Sequence, residues 1–210
     1  MRNNEFLKRL MSSLILLPLS FFVIIKGSTI FLLFLISCFF ISIFEWSKFK
    51  IRYRFLIPGY FFLFCSFISI YLLRENDPIE GLFFVTFITV ICISSDIGGY
   101  IFGRIFKGPK ITTISPNKTY SGVVGAYIVT FTSTFYLILF FKNIDFYFQN
   151  VLLIFLISTI SQVGDLIISY FKRESKIKDT GSIIPGHGGL LDRIDGMIFA
   201  FPLTFLILSF

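Results

Sequence analysis

The chain has 210 residues, of which 55% are apolar, 20% aromatic and only 15% charged. Apolar stretches long enough to cross a bilayer recur along its whole length, which excludes a disordered chain and a soluble domain on a single anchor. The net charge of +7 lies in short loops beside those stretches. No nucleic-acid-binding module is recognisable, so the charge marks a membrane face and no nucleic-acid partner is expected.

The first apolar run, residues 10–25, follows Arg2, Lys8 and Arg9. No small-residue cleavage site follows it and a second run begins at Ser28, so a retained helix is expected rather than a signal peptide. Further runs cover 28–44, 55–73 and 81–95, the last after a break at Asp77 and Pro78, and then 122–141, 146–171 and 194–210. Only helices satisfy their backbone in lipid over such lengths without closing a barrel, and the period-2 alternation of barrel strands is lacking. The expected fold is all-α, a polytopic integral membrane helical bundle of about seven transmembrane helices. It forms one domain over 1–210, with N-terminal helices in 1–95 and a catalytic part in 96–210 that carries loops 96–122 and 169–195. If each run spans, every one of the 19 basic residues except Lys26, Arg74 and Lys142 falls on the side of the N-terminus. Basic loops stay cytoplasmic, so the N-terminus and both charged loops are expected there, where nucleotides are. Cys38, Cys65 and Cys92 sit in or beside apolar runs at spacings that fit neither a disulfide framework nor a zinc site.

The densest charge lies between the last two runs. Asp165 falls inside the sixth, where a carboxylate calls for a polar cavity or a partner. Asp165, Ser169 and Lys172 share a helix face, so a buried Asp–Lys pair that stitches the bundle is the structural alternative to a site. Asp192 and Asp195 are three apart at the start of the last run and can point the same way. Three such carboxylates from two helices make hard oxygen ligation of the kind Mg²⁺ takes. Between them, Gly181, Gly186, Gly188 and Gly189 allow close backbone approach to an anion, and Lys172, Arg173, Lys178 and Arg193 supply charge that pairs with phosphate. His187 stands between glycines, where no core would hold it. The alternative is simpler: glycine turns, and basic residues that meet anionic lipid. A second charged stretch holds Asp96, Lys107, Lys110 and a turn at Ser115–Pro116–Asn117 that leads to Lys118 and Thr119. Gly99 and Gly103 have the spacing of a helix-packing face or a homodimer face.

These residues resemble a known family. Ser169, Lys172, Arg173, Lys178, Asp179, Gly181, Ile184, Pro185, His187, Gly188, Gly189, Leu190, Asp192, Arg193, Ile194 and Asp195 reproduce the signature of the phosphatidate cytidylyltransferase, or CDP-diacylglycerol synthase, family. The stretch 96–122 resembles it more loosely: the family's Ser-Pro-Lys-Lys-Thr-Trp reads here Ser115–Pro116–Asn117–Lys118–Thr119–Tyr120, with Asn117 and Tyr120 departing. The resemblance covers about residues 96–210, and the chain is short for the family by one or two helices. It implies a nucleotidyltransferase of phospholipid biosynthesis in the bacterial inner (cytoplasmic) membrane, with the active site on the cytoplasmic face. CTP and phosphatidic acid would give CDP-diacylglycerol and pyrophosphate, with Mg²⁺ and, left open, a second cation. On that footing Asp165, Asp192 and Asp195 hold the metal, and Lys172, Arg173, Lys178 and Arg193 neutralise phosphates. Gly186, Gly188 and Gly189 shape the nucleotide pocket with His187 as a polar contact. Ser169 and Asp179 belong to the same substrate-binding set, and Ser115, Lys118 and Thr119 close the site from the other loop.

The related CDP-alcohol phosphotransferases need Asp-Gly-x-x-Ala-Arg, and the residues after Asp195–Gly196, Met197 to Ala200, do not supply it. A CTP-dependent lipid-alcohol kinase and a polytopic ion or phosphate transporter remain as alternatives. The inverted repeats common in transporters are not seen.

Overall fold

In a computed structural model the described residues are 2–112, 114–115, 117–141, 148–186 and 188–209. Among them the regular structure is helical, with no strand and two isolated bridges, Lys110–Thr119 and Ile184–Gly188. The helices are α1 (Arg2–Lys26), α2 (Ser28–Ser47), α3 (Tyr53–Glu75), α4 (Glu80–Phe106), α5 (Tyr120–Phe140), α6 (Phe148–Glu174), the single turn α7 (Leu191–Ile194) and α8 (Met197–Ser209). Five of them are long and apolar enough to cross a membrane: α2, α3, α4, α5 and, from Val151, α6. The chain is an all-α membrane protein, with five such helices among the described residues against the seven expected. The apolar part of α1 is Leu14–Lys26, and the 13 residues of α8 reach about 20 Å, short of a hydrocarbon core of roughly 30 Å.

Two boundaries differ from those the sequence suggests. The fourth helix does not stop at residue 95 but runs to Phe106. Its glycines do not break it because they are packed: a Cβ on Gly98 would lie 2.5 Å from the Gly125 carbonyl of α5. Gly99 and Gly103 also face α5, near Gly122, so the small-residue face is used between helices of one chain. The last apolar run is interrupted at Asp195–Gly196, where the Gly196 N–H donates to Asp195 Oδ1 at 2.9 Å. A Cβ on Gly196 would crowd Ser161.

By its contacts the chain divides into two compact units. The first comprises the chain through Leu82 together with Phe171–Ile194. Its α1–α2 elbow turns at Gly27, whose φ of +61° suits glycine. The open ends of both helices are satisfied from the end of α3. Arg74, buried, donates from Nε to the Ile24 carbonyl at 2.8 Å and from Nη2 to the Ile25 carbonyl at 3.1 Å. Its neighbour Glu75 accepts the Ser28 N–H at 2.8 Å. At the other end of α2, Trp46 is buried, donates its indole N–H to the Leu56 carbonyl at 3.1 Å, and packs edge-on against Phe171.

The second unit comprises Phe83–Tyr170 and the chain from Asp195 onward. Its core combines aliphatic and aromatic side chains, with Ile88, Ile91, Ile154, Ile157, Ile198 and Phe87 buried. Hydroxyls join its helices: Ser95 to Ser158 at 3.2 Å between α4 and α6, and Tyr127 to Thr159 at 2.8 Å between α5 and α6. In lipid, where apolar contact alone gives little preference between helices, such bonds contribute about 0.6 kcal/mol each.

Candidate active site

The first unit carries most of the charged signature on the segment between α6 and α7. The helix α6 ends in a Schellman turn: the Ile177 N–H donates to the Lys172 carbonyl and the Lys176 N–H to the Arg173 carbonyl, each at 3.0 Å. Lys176 takes the left-handed φ of +55° that glycine usually supplies there. The chain is thereby turned back so that Thr180 meets Asp192. A short hairpin follows, closed by Ile184 N–H to the Gly188 carbonyl at 3.0 Å and the reverse bond at 3.2 Å. Gly186 and Gly188 have φ of +78° and +91° at its tip.

Asp192 is the hub of this segment. Its Oδ1 receives the Lys172 ammonium at 2.9 Å, with side chains only 13% and 7% exposed. Its Oδ2 accepts the Thr180 N–H at 2.8 Å and the Gly189 N–H at 3.1 Å, and lies 3.0 Å from the Thr180 hydroxyl. Burial pushes this carboxyl up, but the Lys172 hydrogen bond, the Thr180 N–H, the Lys172 charge and the Gly189 N–H outweigh it and hold the group below its ordinary value. Arg173, Lys178, Asp179, Gly186 and Arg193 are exposed.

The second unit holds the other cluster. Lys118 Nζ lies 2.6 Å from Asp165 Oδ2 and 3.2 Å from the Gln162 carbonyl, and the Ser169 hydroxyl donates to Asp165 Oδ1 at 3.3 Å. Lys118 is delivered there by a pinched loop. The Ile111 N–H donates to the Lys118 carbonyl at 3.0 Å and the Lys118 N–H to the Ser115 carbonyl at 3.0 Å. Thr119 then caps α5 by accepting the Gly122 N–H at 3.2 Å.

A sequence model of the cytidylyltransferase family matches residues 52–210. The chain belongs to the cytidylyltransferase family. Among its relatives, a phosphatidate cytidylyltransferase of Staphylococcus saprophyticus is 35% identical over 162 residues, 76% of this chain and 62% of the relative. One from Brucella melitensis is 38% identical over 149 residues, 70% of this chain and 54% of the relative. One from Haemophilus influenzae is 39% identical over 132 residues, 60% and 46% of the two chains. The chain thus spans about half the length of the curated relatives it matches.

Within this chain the expected residues therefore fall into two groups: Lys172, Arg173, Lys178, Asp179, Gly186, Gly188, Gly189, Asp192 and Arg193 in one unit, and Ser115, Lys118, Thr119, Asp165, Ser169 and Asp195 in the other. His187 lies outside the described residues. The Asp165–Ser169 contact expected from helix spacing is present, but the cation on Asp165 is Lys118, and Lys172 pairs with Asp192. Among the described residues no group of three or more His, Cys, Asp or Glu side chains is placed to hold a metal ion. Asp165 receives the Lys118 ammonium on Oδ2 and Asp192 the Lys172 ammonium on Oδ1.

Two residues were missed by the sequence reading. Glu45, near the end of α2, is completely buried and accepts the Leu190 N–H at 2.9 Å and the Leu191 N–H at 2.7 Å. Thr180, 2% exposed, places its hydroxyl 3.0 Å from Glu45 Oε2. One signal was present: Glu45 is the single charged residue of 28–47, and a lone charge within a span marks a site or a fixed partner.

Proposed function

We propose that this chain is a nucleotidyltransferase that moves the cytidylyl group of CTP onto phosphatidate. An oxygen of the lipid phosphate attacks the α-phosphorus of CTP, the bond to the β-phosphate breaks, and CDP-diacylglycerol and pyrophosphate form. The observation that carries this reading is the paired Lys172–Asp192 at the base of a segment with Arg173, Lys178 and Arg193 exposed, within residues 52–210 that match the family, in a chain whose relatives include proteins named phosphatidate cytidylyltransferase. A phosphomonoester with a second pKa of about 6 is largely ionised near neutrality, so the nucleophile needs no strong base. The difficulty is electrostatic: two anions must meet and a third must leave. Guanidinium and ammonium groups serve both needs, screening the approach and stabilising the charge that develops on pyrophosphate. Lys172 is held in place by Asp192, and Arg173, Lys178 and Arg193 receive phosphates. A divalent cation would add charge neutralisation at the phosphates.

The excess of basic residues in loops on the side of the N-terminus supports an active site on the cytoplasmic face of a bacterial inner membrane. The test is purified full-length chain with labelled CTP and phosphatidic acid in mixed micelles. A lipid-soluble cytidine product with release of pyrophosphate supports the proposal. Release of CDP with a phosphorylated lipid alcohol would instead reveal a kinase, and solute flux without nucleotide turnover a transporter.

A further inference from the structure

We propose that Glu45 is a positioning residue for cytidylyl transfer: from the end of α2 it closes the 180–191 segment around its own carboxylate and, through Thr180, fixes the acceptor geometry of Asp192 and so the Lys172 ammonium. The inference rests on the functional reading above. Its geometry lies within one compact unit.

The Glu45 carboxylate has 0% exposure, and among the residues whose side chains are described no Lys or Arg forms an ion pair with it. A buried anion without a cation is costly unless hydrogen bonds meet it. Here the donors are the Leu190 N–H to Oε1, the Leu191 N–H to Oε2, and the Thr180 hydroxyl beside Oε2. The segment is shaped to this occupant. A Cβ on Gly181 would come 2.6 Å from Glu45 Oε1, and one on Gly189 would come 2.7 Å from Glu45 Oε2. Those two glycines leave room for a side chain of the protein itself, and the amides at 190 and 191 already face an anion, that of Glu45.

Thr180 links the two acids. Its hydroxyl lies 3.0 Å from Glu45 Oε2 and 3.0 Å from Asp192 Oδ2, while its N–H donates to the same Asp192 oxygen. One hydroxyl hydrogen serves one carboxylate at a time, so Glu45 and Asp192 share it, and loss of either acceptor redirects it. A staple needing only shape would be met by an apolar side chain. A carboxylate is required because the faces it meets are donors. Glu45 also lies outside residues 52–210, the part that matches the family.

The test uses the full chain and the variants Glu45→Gln, Thr180→Val and the double variant. Gln keeps the shape but presents one acceptor oxygen where two are used. We expect kcat/KM for CTP to fall about 10- to 100-fold in each single variant, the loss of a hydrogen bond to a charged group. The double variant is expected to lose no more than the worse single one. Amide exchange of the 180–191 segment is expected to quicken in Glu45→Gln and Thr180→Val. A residue that only holds the fold would lower yield while leaving kcat and KM per folded molecule at wild-type values, and that outcome, additive losses, or unchanged exchange would overturn the proposal. Should Glu45→Gln not insert, Thr180→Val alone decides by the same measurements. Failure of the functional reading shows separately, as no CDP-diacylglycerol from the wild-type chain. Failure of this inference shows as unchanged exchange, whether or not the wild type turns over.

Discussion

Asp192 gathers four donor contacts on two oxygens, and its charge is what lets it do so. Asn at this position has a single acceptor oxygen, so either Lys172 or the donors on Oδ2 lose their partner. Asp192→Asn is expected to destabilise the fold by about 2–3 kcal/mol and to cut CDP-diacylglycerol formation at least about 100-fold. Thermal melting in detergent and turnover of labelled CTP check the two effects. Acid has a related consequence. The folded-state carboxyl lies below its unfolded value, so its stabilising contribution is complete above the ordinary 3.8 and is lost as pH falls beneath it through the folded value. Fluorescence of Trp46, the one tryptophan, is expected to report an acid step below pH 3.8 that shrinks in Asp192→Asn. At this scale the sequence revealed which residues are charged but not whom they meet. Helix spacing found Ser169 for Asp165, because that contact is local. Lys118 was not visible as its partner, because a loop closed by the Lys110–Thr119 bridge brings it there.

Among the elements, the glycine-rich segment 181–189 was legible as a place of close approach, but not what approaches. At Gly181 and Gly189 the nearby groups are Glu45 and Thr180, from parts of the chain that no motif connects. Ala at either position must push a buried carboxylate or hydroxyl aside. Gly181→Ala and Gly189→Ala are each expected to cost about 1–3 kcal/mol by overpacking. Gly99→Ala is the control. Its added Cβ meets nothing closer than 3.8 Å, and Ala is the better helix former, so the change should stay within about 0.5 kcal/mol. Melting of the three variants side by side in one detergent separates crowding from the general effect of losing a glycine. The same comparison explains why the end of α4 was misjudged. Glycines at 98, 99 and 103 look like breakers in a list of residues, yet packed against α5 they let the helix run on to Phe106.

For the whole molecule, hydropathy located the five long spans correctly because lipid demands length and apolarity and little else. It did not foresee the interruption at Asp195–Gly196, where Gly196 lies close against Ser161 of another helix. The proposed orientation is testable by labelling. In a background with Cys38, Cys65 and Cys92 replaced by Ser, Asp77→Cys should react with an impermeant maleimide in intact cells. Lys50→Cys and Lys178→Cys should react only after permeabilisation, and the reverse pattern would invert the orientation. Arg74, one of the three basic residues that the loop alternation assigns to the side poorer in charge, is occupied by the carbonyls of Ile24 and Ile25 while Glu75 takes the Ser28 amide. Both side chains belong to α3, some fifty residues after the groups they serve. During synthesis, then, the first helical pair leaves the ribosome with its connecting bend exposed, and that bend must stay hydrated at the bilayer margin until the third segment arrives to shield it.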